Sequence, residues 1–150
     1  MLVLLFLTEA EGIDISATGG WTETVNSSDL VSGAGSNLIV TYESATNATI
    51  VSITNCLSRF DNWRVDVRRV DGGNWHANFT LSVRRTSNGT GLGSISGGLS
   101  YIGITTTDSQ FFSGRGNRSN INLQYRLTGM SVSISPKNYS TTVVFTVVDI

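Results

Sequence analysis

The sequence predicts an all-β chain folded as an immunoglobulin-like, two-sheet antiparallel β-sandwich, with a jelly roll as the alternative. Three observations carry this. Apolar and polar residues alternate along several runs, the period of a strand with one face buried. No window places apolar residues at i, i+3, i+4 and i+7 over three turns, so no amphipathic helix is expected. Clusters of Gly, Ser and Asn separate the runs at short intervals, the punctuation of a sandwich or barrel. The 150 residues suffice for one core. Charged residues make up 14% of the chain, against about 25% in an average soluble domain. Neutral polar residues fill the difference, with 20 Ser, 18 Thr and 12 Asn beside 16 Gly.

Residues 1–7 (MLVLLFL) form an apolar run too short for a bilayer, which needs roughly 20 residues. The run matches a secretory h-region, and cleavage after Ala10 or Gly12 suits a small-residue rule. Residues 1–12 are therefore expected to be a signal remnant and residues 13–150 the domain, a hydrophobic first strand being the alternative. The protein is expected to be secreted or on the cell surface. Ile13, Ile15 and Ala17 then alternate with Asp14 and Ser16 ahead of Thr18-Gly19-Gly20, read as a flexible tether. Such a strand can pair in its own sheet or in a neighbour's.

Further strands are expected at residues 21–25, 38–42, 49–54 and 99–105. Residues 63–70 (WRVDVRRV) turn Trp63, Val65 and Val67 to one face and Arg64, Asp66 and Arg68 to the other. Residues 78–84 (NFTLSVR) repeat the pattern with Phe79, Leu81 and Val83 inward. Asp71-Gly72-Gly73-Asn74 between them has turn composition, so the two runs read as a β-hairpin. Residues 120–127 (NINLQYRL) alternate likewise. In residues 143–148 (VVFTVV) both faces are apolar apart from Thr146. Such a strand belongs inside a sheet or under cover, because at an edge it invites pairing with another chain.

Catalytic chemistry finds little material. His76 is the only histidine, and there is no Gly-x-Ser-x-Gly elbow to supply a nucleophile. One Cys and one His cannot build a zinc site, and the acidic residues fall mostly in turns and at the termini. Asp66 between Arg64 and Arg68 reads as part of a surface ion-pair ladder. No cofactor and no enzymatic activity are expected. A net charge of −1 gives no pull towards nucleic acid. Cys56 stands alone and reads as a small buried hydrophobe. Among the aromatics Trp63 suits a core tryptophan, while Trp75 beside His76 is a candidate ligand platform for a glycan. Six Asn-x-Ser/Thr triplets begin at Asn26, Asn47, Asn78, Asn88, Asn117 and Asn138.

The ending at residues 139–149 (YSTTVVFTVVD) resembles the last strand of exported bacterial sandwich proteins, fimbrial subunits among them. Residues 61–69 (DNWRVDVRR) are similar to a segment of exported bacterial proteins. Chaperone–usher pilins carry a disulfide and a tyrosine near the C-terminus. This chain departs from them with one Cys and the ending Val148-Asp149-Ile150. The resemblance implies a bacterial, pilus-like surface subunit whose partners are copies of itself. Ile13, Ile15, Val143, Phe145 and Val147 are then the assembly-strand residues. The alternative is a secreted glycan-binding or adhesion module using Trp75 and His76.

Overall fold

The computed structural model describes residues 2–8 and 12–150. The chain is an all-β sandwich of two packed sheets. The first sheet contains β1 (Leu2–Thr8), β5 (Asn62–Asp71), β7 (Ile95–Gly97), β9 (Ser109–Arg115) and β11 (Ser140–Asp149), in the order β1-β11-β5-β9-β7. The second contains β2 (Asp14–Gly19), β4 (Thr49–Thr54), β6 (Thr80–Arg85), β8 (Ile102–Gly103) and β10 (Arg118–Thr128), in the order β2-β4-β10-β6-β8. A short strand, β3 (Thr41–Glu43), continues the β4 side of β10. Among the described residues all strand pairings are antiparallel except that of β1 with β11, which is parallel. Among the described residues no helix is long and apolar enough to cross a membrane.

The alternating runs do what their period demands. Trp63, Val65 and Val67 are fully buried, as are Val83, Ile121, Leu123 and Tyr125. Residues from both sheets make one hydrophobic cluster, the arrangement in which each strand buries every second side chain. Trp63 is the largest of them, and its indole Nε1 donates to the Gly116 carbonyl at 2.9 Å. The strand passing over it must carry glycine at position 114, because a Cβ there would collide with the Trp63 ring.

The connectivity differs from the hairpin expected for residues 63–84. Strands β5 and β6 lie in different sheets, so residues 72–79 cross the end of the sandwich. The turn itself forms, with the Trp75 N–H donating to the Gly72 carbonyl at 3.1 Å and that of Phe79 to His76 at 3.0 Å. Alternation fixes which side chains face inward, but an inward face exists on both sheets. The same interleaving recurs, since β4 and β5, β9 and β10, and β10 and β11 also sit in opposite sheets. Immunoglobulin-like sandwiches keep several chain neighbours paired within one sheet. Here, among the described residues, no two strands consecutive in the chain pair with each other within a sheet.

Residues 21–25 were expected as a strand and are not one, although Trp21 is buried. Only Ile102–Gly103 pairs within residues 99–105. Strand β9 has no clean alternation. Phe111 and Phe112 are adjacent and both buried, because a register shift opposite Val65/Asp66 interrupts the pleat.

Candidate functional site

Strand β11 occupies the position that its doubly apolar sequence requires, between β1 and β5. Val143, Phe145 and Val147 face inward with no exposure. Phe145 stacks against Phe111 with ring centroids 6.4 Å apart. On the other face Val144 is also buried, at 3% exposure. One side of β11 pairs with β5 from Thr141↔Asp71 to Asp149↔Trp63. The other side pairs with β1 from Leu2↔Ser140 to Thr8↔Thr146. The run read as a secretory h-region thus lies in the structure as an edge strand of the first sheet.

The amphipathic segment after it pairs within its own chain. Strand β2 runs antiparallel to β4 from Asp14↔Thr54 to Gly19↔Thr49, and Ile13 and Ile15 are buried in the core. Of the two partners open to this strand, the structure has its own sheet. Thr18-Gly19-Gly20 is not a loose tether. Gly19 takes φ +103°, and a Cβ there would strike the Ala48 carbonyl oxygen. The Gly20 N–H donates to that same oxygen at 2.8 Å. The two N-terminal strands therefore straddle the sandwich, β1 completing one sheet and β2 bordering the other.

Trp75 and His76 are half-buried in an aromatic cluster at one end of the sandwich. Trp75 meets Phe79 edge-on at 5.5 Å, and the Arg69 guanidinium lies 5.0 Å over the indole. The Trp75 Nε1 is buried with no hydrogen-bond partner among the described residues. His76 Nδ1 accepts from the Asn78 N–H at 3.2 Å, and its ring contacts Phe79 and Tyr139. Phe79 and Tyr139 meet edge-on at 4.9 Å, with the Lys137 ammonium 5.4 Å over the Tyr139 ring. Beyond them opens a groove of about 480 Å³ lined by Val25, Leu30, Leu38, Leu127, Met130 and Ile134 together with Phe79 and Tyr139. Trp75 and His76 stand behind this groove and do not line it.

The groove was not foreseen. Its walls come from residues 23–38 and 127–139, where Gly, Ser, Pro and Asn obscure the scattered apolar side chains. The only available signal was the spacing of Met130, Val132 and Ile134, which alternate outside any strand.

The outer faces carry ion pairs and stacked arginines. Arg64 clamps Asp66 through Nε at 2.8 Å and its terminal nitrogen at 3.0 Å. Arg68 instead reaches Asp108 at 3.5 Å, so the ladder expected around Asp66 is split. Cys56 is a half-buried free thiol packed against the core. Burial, with the Asp61 carboxylate second, pushes its pKa up, which keeps it a poor nucleophile. Among the described residues no three His, Cys, Asp or Glu side chains gather where a metal could sit.

Compared with protein-family models, with curated proteins and with solved structures, the chain matches none.

Proposed function

We propose that the protein is a non-enzymatic, exported surface or filament subunit that assembles by strand pairing between copies of itself. The observation that carries this reading is the pairing of β1 with β11. A strand apolar on both faces has its free side closed by a separate N-terminal segment, joined in parallel. That segment has the composition of a cleavable export signal. Its removal would bare a full edge of β11, and backbone N–H and C=O groups at such an edge seek another chain. Strand addition supplies those hydrogen bonds. In the first sheet the opposite edge is the three-residue β7, and one edge of the second sheet is the two-residue β8. Edges that short offer little to a neighbour.

The test is to compare the full chain with one lacking residues 1–12 by light scattering and electron microscopy. Oligomers or filaments from the shortened chain, dispersed by adding a peptide of sequence LVLLFLT, support the proposal. A shortened chain that folds and stays monomeric at high concentration overturns it.

A second reading, a glycan-binding or adhesion module, is favoured by the groove behind the aromatic cluster. An apolar cleft of this size with a few polar groups at its rim suits a small ligand. Titration with polysaccharide should then shift tryptophan emission, and Tyr139→Ala as well as Trp75→Ala should remove the shift.

A further inference from the structure

The chain holds 12 Asn, and 38 of its 150 residues are Ser or Thr, so about three Asn-x-Ser/Thr triplets are expected by chance. It has six. In the fold every one of the six asparagines is exposed and lies outside the strands. Of the other six, Asn62, Asn120 and Asn122 are strand residues, while Asn37, Asn55 and Asn74 are exposed outside the strands.

The local hydrogen bonds leave the reactive atom free. Asn26 accepts through Oδ1 from the Ser28 N–H at 2.9 Å and from the Ser28 hydroxyl at 2.8 Å. That contact joins the amide to the hydroxyl two residues on, which is the residue the triplet requires. Asn117 Oδ1 accepts from the Cys56 N–H at 2.9 Å, and Asn88 Oδ1 from the Arg85 guanidinium. In all three the oxygen holds the side chain in place, while no described residue takes a hydrogen bond from Nδ2.

We propose that Asn26, Asn47, Asn78, Asn88, Asn117 and Asn138 are acceptors for N-linked oligosaccharide. The proposal rests on the export reading above, because the donor is a lipid-diphosphate-linked oligosaccharide met during export. The Asn Nδ2 attacks C1 of the sugar, a C–N bond forms as the C–O bond to the diphosphate breaks, and the diphosphate departs with the electron pair. The amide nitrogen gives up one of its two protons. Oδ1 is untouched, so its bonds to Ser28, Arg85 and Cys56 persist in the product. Sugar at these six places hydrates a surface poor in charge. Asn26 and Asn138 lie on the wall of the apolar groove, so their sugars would stand at its mouth.

The experiment uses exported protein from its native host. Intact mass is measured before and after treatment, in ¹⁸O water, with an amidase that releases N-linked sugar and leaves labelled Asp. Loss of several oligosaccharide masses, with label at most of the six positions and none at the loop residues Asn37, Asn55 and Asn74, supports the proposal. Thr90→Ala should remove one oligosaccharide, that on Asn88, and leave the rest. A mass equal to the bare polypeptide, or label spread equally over Asn37, Asn55 and Asn74, overturns it. N-terminal sequencing of the same sample reports whether residues 1–12 are gone, so a failure of the export reading is seen separately.

Discussion

Replacing Phe145 by alanine removes a fully buried ring from the middle of β11. The ring stacks on Phe111 of β9, the strand beyond β5 in the same sheet, and faces the second sheet across the core. Emptying such a site costs the transfer energy of the lost carbons plus a cavity term, about 3–5 kcal/mol for Phe→Ala. Domains of this kind hold about 5–15 kcal/mol in total, so the variant should lose about a fifth or more of its stability. In a chain of this length each kcal/mol moves Tm by about 2–4 °C, giving a fall of about 10 °C. Val144→Ala on the opposite face of the same strand loses only about two carbons' worth of burial, about 1–2 kcal/mol. Urea unfolding followed by tryptophan emission reads both, since Trp63 is completely enclosed in the native state. The midpoint should shift with an unchanged slope. A loss under about 1 kcal/mol for Phe145→Ala would refute the packing of β11 described above.

Other substitutions probe backbone strain, buried hydrogen bonds and pH. Gly19→Ala should cost about 1–3 kcal/mol in the same assay, because the residue must hold φ +103° against the Ala48 carbonyl. Gly73→Ala, which meets no atom, serves as the comparison. Tyr125→Phe should cost about 1–3 kcal/mol by leaving the buried Thr49 hydroxyl without its 2.9 Å partner. Burial holds the Tyr125 phenol well above the ordinary tyrosine value of 10.0. A raised pKa in the folded state gives stability that is whole below pH 10 and falls as pH rises above it. Spectrophotometric titration should therefore find one tyrosine that ionises only on unfolding. Arg85→Lys should lose about 1–3 kcal/mol, since the guanidinium fork holds the Gly97 and Ser87 carbonyls, which a single ammonium cannot span.

What the sequence made legible follows from the physics of a strand. Alternation identifies an inward face from neighbours two residues apart, so Trp63, Val65, Val67, Leu81, Val83 and Leu123 were all correctly placed in the core. Which of two sheets a strand joins depends on pairings tens of residues away. That is why residues 63–84 read as a hairpin although their strands lie in opposite sheets. Strand β9 escaped notice because its bulge puts adjacent phenylalanines inside. The central position of β11 was readable, since apolar residues on both faces exclude an open edge. Its actual neighbour was the alternative reading of the apolar N-terminus, and composition does not separate an h-region from an edge strand. At the aromatic end Trp75 and His76 were visible as chemistry-bearing residues. The groove beyond them is assembled by irregular loops, where no periodic signal exists.

Amide hydrogen exchange along β11 in the chain lacking residues 1–12 tests strand-mediated assembly most directly. The amides that lie opposite Leu2–Thr8 should exchange quickly in dilute monomer and become protected as the sample is concentrated into oligomers. The amides paired with β5 should stay protected throughout. Oligomers in which the freed side of β11 still exchanges quickly would show that assembly runs through another surface, and the absence of any oligomer would remove assembly itself.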